Sequence, residues 1–188
     1  MRDDQYARVY PFAAKEAGRY LQRFHMIGAH PPFSGGQQQW DAFISWWVQE
    51  EIEKVKRLAV LDLLQLSELQ EQFDHMQPLL AQRPIVLLHG DLQAAHILVD
   101  PQTEHVLAFL DFADAQPGDP LLDIAVLTLW DHGLTDFLLE GYNGIANTEE
   151  TKQLLSLYRL LRHLAEIPWL LERRFKASAE RNIAALKD

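Results

Sequence analysis

Apolar positions in the first third of the chain recur at helical spacing. Between Phe12 and Ile27, residues Ala13, Ala17, Tyr20, Leu21, Phe24 and Ile27 fall at intervals of three and four, which predicts an amphipathic helix. Gly28 is a natural stop for it, and Pro31-Pro32 forbid continuation. A longer pattern from about Gln38 to Leu61 places Trp40, Phe43, Ile44, Trp47, Val48, Ile52, Val55 and Leu58 on one stripe. Glu50, Glu51, Lys54 and Arg57 lie mostly opposite, with Glu50/Lys54 and Glu53/Arg57 spaced for ion pairs. Ser67 and Gln70 read as a capping box for a third helix that turns Leu69, Phe73, Met76 and Leu80 inward.

The period changes at Ile85. Ile85–Leu88, His96–Asp100 and His105–Leu110 are short apolar runs of strand length, and Pro101-Gln102-Thr103-Glu104 has the length of a hairpin turn. After Asp111 the chain reads as loop to Gly118, and Asp119-Pro120 as an N-cap followed by proline in the first helical turn. Leu121–Trp130 is apolar nearly all round and predicts a buried helix. Further helices follow. One ends near Gly141; one is capped by Thr148 and interrupted or kinked at Pro168; a weaker one covers about Ala177–Lys187. The chain thus reads as one domain, residues 1–188: helical over 1–84, strands around a loop over 85–111, and helical over 112–188.

Composition narrows the classes. The chain has 188 residues, 17 Lys+Arg against 27 Asp+Glu, a net charge of −10 and no cysteine. This excludes disulfide frameworks and thiolate chemistry, and argues against general affinity for nucleic acid or anionic membrane. No apolar run approaches the length of a membrane span, and Met1-Arg2-Asp3-Asp4 is too polar for a secretory signal, so a cytoplasmic protein is the default expectation. Ser34-Gly35-Gly36 lacks the strand before and the Lys-Ser/Thr after that a phosphate cradle needs.

The segment with chemical content is His89-Gly90-Asp91-Leu92-Gln93-Ala94-Ala95-His96, followed by Leu110-Asp111-Phe112-Ala113-Asp114. A carboxylate from a loop between two strands and another from a third strand's end can converge on one point. Phosphoryl transfer uses such a pair: one carboxylate orients and deprotonates the attacking hydroxyl, and another, with a neutral ligand, holds a metal.

The succession His-Gly-Asp-x4-His, Ile-Leu-x-Asp, Asp-Phe-x-Asp-Ala and Gly-Asp-Pro-x2-Asp over Leu88–Asp123 resembles the aminoglycoside phosphotransferase and choline kinase-like family. Ala17–His25 and Leu157–Leu171 resemble it too, so the likeness covers nearly the whole chain, as the family's C-terminal lobe. It implies an α+β, mainly helical fold: the C-terminal lobe of a protein-kinase-like, aminoglycoside phosphotransferase-type structure with a small β cluster around the catalytic loop. It implies Asp91 as catalytic base, Asp111 and His96 as metal ligands, and His89, Asp119 and Asp123 as supporting residues, with Asp114 and Asp131 on the possible substrate side. The cofactors would be Mg²⁺ or Mn²⁺ with ATP or another nucleoside triphosphate, and the partner a small-molecule hydroxyl substrate.

The family usually carries asparagine where His96 stands. An imidazole is the softer ligand, so Mn²⁺ should gain relative to Mg²⁺. The family's N-terminal lobe, with its strand lysine and helix glutamate, has no counterpart in residues 1–11. The expected function is therefore a small-molecule kinase that needs a missing lobe for full activity. The alternative is an inactive one-lobe binding module that self-associates. Trp46, Trp47 and Trp169 read as core; Arg159, Arg162, Arg173 and Arg174 read as a solvated basic strip; Asp131 and Glu140 would suit a cationic acceptor.

Overall fold

A computed structural model describes residues 11–28, 33–81 and 83–186. Pro31, Pro32, Lys187 and the polar N-terminus lie outside the described residues. Three helices come first: α1 (Pro11–His25), α2 (Gln37–Leu58) and α3 (Leu63–Leu80). Four short strands follow: β1 (Val86–Leu88), β2 (Ile97–Val99), β3 (Val106–Phe109) and β4 (Gln116–Gly118). Then come α4 (Leu121–Leu127), α5 (Thr135–Tyr142), α6 (Glu149–Glu172) and α7 (Lys176–Ala185). The architecture is α+β and mainly helical.

The strands form two antiparallel ribbons. β1 pairs with β4, and β2 with β3, the second ribbon carrying an irregularity between Leu98 and Val99. The hairpin turn forms where expected: Asp100 Oδ1 accepts from the Gln102 and Thr103 amides. β4 is a departure from the expected loop. Gln116-Pro117-Gly118 has no strand pattern of its own and is extended because it completes β1.

One apolar cluster joins α1 to α6 and the ribbons, with Leu21, Leu88, Leu92, Leu121, Leu122, Ile124, Leu138, Leu154 and Leu164 sealed inside it. α4 is buried all round but ends at Leu127, short of the expected Trp130, which is exposed. α1 crosses α5 at backbone contact. A Cβ on Gly18 would stand 2.2 Å from the Leu138 carbonyl oxygen, and one on Gly141 would stand 1.8 Å from that of Lys15. Only glycine permits that approach.

Several local expectations change. The buried face of α1 is Ala13, Ala14, Ala17, Gly18, Leu21 and His25, with Tyr20 and Ile27 exposed. The third helix starts earlier than Ser67: Asp62 caps it, accepting from the Gln65 amide while Gln65 Oε1 accepts from the Asp62 amide. Ser67 and Gln70 lie inside it. Glu51 is on the buried side of α2, paired with Lys54 at 2.8 Å. The Glu50–Lys54 pair forms at 3.8 Å, whereas Glu53 pairs with Lys56.

α6 runs unbroken through Pro168. Proline removes one amide donor, but Leu161, Leu164, Ile167 and Leu170 are buried along the same helix and hold its course. Trp46 and Trp169 are exposed rather than core, at 58% and 47%. Trp46 sits about 100° round the helix from half-buried Trp47, off the apolar stripe, and Trp169 is flanked at the surface by Arg173, 4.2 Å from its ring centre, and Phe175, 6.3 Å away. No described helix is long and apolar enough to cross a membrane.

Candidate active site

The loop from His89 to His96 leaves β1 and enters β2 through a short helical turn, Ala94–His96. Gly90 makes the sharp exit possible. Its φ is +85°, and a Cβ there would stand 2.0 Å from the Asp114 carbonyl oxygen. That contact fixes the loop against the segment after β3.

Asp123, from the first turn of α4, holds the loop from below. Its fully buried carboxylate accepts from the His89 amide at 2.8 Å, the Gly90 amide at 2.9 Å and His25 Nε2 at 3.0 Å. Because Nε2 donates to a carboxylate, Nδ1 of a neutral His25 accepts from the Tyr142 hydroxyl, 2.8 Å away. Burial, reinforced by the charges of Asp123 and Asp119, pushes the Tyr142 phenol well above its ordinary value, so it keeps its proton.

Asp91 stands at the front of the loop. Its Oδ1 accepts from Arg162 Nη2 at 2.5 Å and from Gln93 Nε2 at 2.9 Å, and its Oδ2 receives the weaker 3.1 Å contact from Gln93. The same Arg162 nitrogen lies 2.7 Å from Glu166. Burial raises the Glu166 carboxyl above its ordinary value; Arg162 opposes that rise and the Asp91 charge adds to it.

His96 Nδ1 lies 2.7 Å from the Asp91 backbone oxygen. A carbonyl only accepts, so Nδ1 carries the hydrogen and Nε2 of the neutral ring keeps its lone pair. His89 Nε2 likewise donates to the Leu110 carbonyl at 2.9 Å, and its buried Nδ1 has no partner among the described residues. The Leu110 amide donates to the His96 carbonyl at 2.8 Å. Asp111 therefore begins where both loop histidines hold the chain. It is exposed, with φ +64°, and Phe112 beside it packs on the His89 ring at 4.4 Å.

The structure thus gathers His89, Asp91, His96 and Asp123 by direct bonds, brings Asp111 to them through its neighbours, and sets the Asp114 backbone against Gly90. Asp119 belongs elsewhere. It caps α4 through the Leu121 amide, and its other oxygen takes Arg83 Nε at 2.8 Å and the Tyr158 hydroxyl at 3.0 Å. Asp131 caps the turn His132–Leu134 by accepting from the Gly133 amide, and Glu140 pairs with Lys15. Among the described residues, no three His, Cys, Asp or Glu side chains cluster as a metal site.

Arg159 and Arg162 depart from the expected solvated strip: both point inward. Sequence reasoning passed over Arg162, Glu166, His25 and Tyr142 as site residues. A signal existed for two of them, since Arg162 and Glu166 stand four apart in a helix whose neighbouring positions Leu161, Leu164 and Ile167 are apolar.

A strand–loop–strand carrying Asp91, with Asp111 just past the next strand and a buried aspartate from the following helix beneath the loop, is the arrangement of a kinase-like phosphotransferase fold. Residues 2–154 match the profile of the Phosphotransferase enzyme family, APH, and the chain belongs to that family. The fold is similar to that of aminoglycoside 2'-phosphotransferase-IIIa, solved as its GDP complex, with TM-score 0.67, 18% identity, and 93% of this chain aligned to 61% of that one. A choline/ethanolamine kinase family protein from Mesorhizobium loti aligns with TM-score 0.70 and 18% identity, over 94% of this chain and 62% of that one. Macrolide 2'-phosphotransferase type I aligns with TM-score 0.66 and 19% identity, over 99% and 67%. The chain spans about three fifths of the length of the first two. No curated protein matches it.

Proposed function

We propose that residues 1–188 form the C-terminal lobe of a small-molecule kinase, which moves the γ-phosphoryl group of a nucleoside triphosphate to a substrate hydroxyl. The observation that carries this reading is the state of the loop. Asp91 Oδ1 is occupied by Arg162 and Gln93, while Oδ2 has only a weak contact and can receive a proton from an acceptor hydroxyl. Arg162 fixes the carboxylate's orientation. Asp123 fixes the backbone that carries it.

His96 Nε2 and the Asp111 carboxylate suit a divalent cation: one is a neutral nitrogen with its lone pair free, and the other an exposed carboxylate without a hydrogen-bond partner among the described residues. Mg²⁺ or Mn²⁺ held there would neutralise triphosphate charge during transfer. The nitrogen ligand favours Mn²⁺ relative to an all-oxygen set. His89 supports the site by pinning Leu110, and Asp114 and Asp131 stay at its edge.

Calorimetric titration of the chain with a non-hydrolysable ATP analogue, with Mg²⁺ and separately with Mn²⁺, tests this. Saturable, metal-dependent binding that Asp111→Ala abolishes is expected. Absence of binding at millimolar nucleotide refutes a nucleotide site in this lobe alone, and equal binding by Asp111→Ala refutes the metal role of Asp111. A second reading, a one-lobe module that self-associates, is favoured by one observation: Leu98, Leu107, Leu110 and Phe112 are all exposed on and beside the β2–β3 ribbon. Sedimentation equilibrium showing a monomer would remove it.

A further inference from the structure

One arginine on the helix that braces Asp91 has no carboxylate partner among the described residues. Arg162 is matched by Asp91 and Glu166. Arg159, one turn before it on α6, is matched by neither. Its Nη2 donates to the Thr128 hydroxyl at 2.6 Å and the Thr135 hydroxyl at 2.7 Å, and its buried Nε has no partner. Among the described residues, no carboxylate pairs with it.

Two hydroxyls orient a guanidinium without cancelling its charge, and a half-buried cation left so is costly. Burial brings the Arg159 pKa down only to about 10, so it stays charged at neutral pH. Its field reaches both nearby imidazoles. His132 and His163 are each held below their ordinary value, by burial first and by Arg159 in addition. Trp130 packs edge-on against His163 at 4.9 Å and remains 43% exposed beside them. The carboxylates of this corner are engaged elsewhere: Asp131 accepts from the Gly133 amide and Asp136 from Asn147 Nδ2, and neither pairs with Arg159.

We infer that Arg159 is the anion receptor of the acceptor site: the molecule whose hydroxyl meets Asp91 carries a carboxylate or phosphate group, which Arg159 and His132 bind. This rests on the phosphotransfer reading and names its substrate class. Arg159 and Arg162 are three residues apart on α6, about 4.5 Å along the axis, which sets the receptor one helical turn from the arginine that holds Asp91. The Thr128 and Thr135 hydroxyls hold the guanidinium in place beforehand, which lowers the ordering cost of binding.

Titration of the chain with glycerol 3-phosphate, glycerate and glycerol separates the possibilities, because the three differ chiefly in the anion. Calorimetry reads affinity, and NMR reads the His132 ring. Saturable binding of either anion, with an upward shift of the His132 pKa and no such response to glycerol, is expected; whichever anion binds identifies the group. Arg159→Gln should weaken that binding about ten-fold or more, and Arg159→Lys should retain part of it. Equal binding of glycerol, no binding of either anion, or anion binding unchanged in Arg159→Gln would overturn the inference. Should Arg159→Gln fail to fold, the three ligands against the native chain still decide. Nucleotide is absent from this assay, so loss of the phosphotransfer reading through Asp111→Ala is seen independently.

Discussion

Removing Asp123 tests whether the loop is held by one carboxylate. Asp123→Ala strands three buried donors at once: the His89 amide, the Gly90 amide and His25 Nε2, all within 3.0 Å of the carboxylate. A buried donor left unpaired costs roughly 1–3 kcal/mol, so three give roughly 3–9 kcal/mol. Against a domain stability of roughly 5–15 kcal/mol, that is a large fraction of the whole. Asp123→Asn keeps one good acceptor oxygen but turns an amide NH₂ toward a donor, which leaves one group unmet and a loss of roughly 1–3 kcal/mol. Urea denaturation followed by far-UV circular dichroism orders the three proteins, and hydrogen exchange at the His89 and Gly90 amides localises the damage. A native-like midpoint for Asp123→Ala, within about 1 kcal/mol, would refute the reasoning.

Two other outcomes follow from the same coordinates. The folded pKa of His163 lies below 6.5, foremost through burial, so the unfolded chain binds more protons between the two values. Stability should hold above pH 6.5 and fall as the pH drops from there to the folded value. His163→Gln should flatten that fall in thermal melts, with His132, lowered in the same direction, supplying the remaining slope. Gly90→Ala combines a φ of +85° with a Cβ 2.0 Å from the Asp114 oxygen, so it should cost about 2 kcal/mol or more and displace the loop amide resonances; an unchanged spectrum would contradict the tight contact.

The helices were legible because their apolar stripes repeat at helical spacing, and the hairpin because Pro101–Glu104 separates two apolar runs. Elements without a local pattern were not. β4 contains proline and glycine and is extended only through its pairing with β1. Leu63 and Leu64 are apolar yet exposed in the first turn of α3, which disguised Asp62 as its cap. At the site, the motif residues lie close in sequence and could be read together. Arg162 comes from 71 residues beyond Asp91, and its spacing with Glu166 among apolar neighbours signals burial without naming the distant carboxylate it meets. Pro168 shows the converse: a strong local breaker loses to a helix buried on both sides of it.

α1 does three separate jobs along its length. Glu16 accepts from the Val106 amide and from His105 at the start of β3, Gly18 lets α5 close against the helix, and His25 reaches Asp123 under the His89–His96 loop. This sets where the chain can be cut or rejoined. A shortened version lacking α1 would lose the buried imidazole under the loop, unseat one end of the hairpin and bare the α5 surface together. A new terminus is far better tolerated near Asn147 before α6, where the chain is exposed, since that opening does not part the first helix from the groups it fastens.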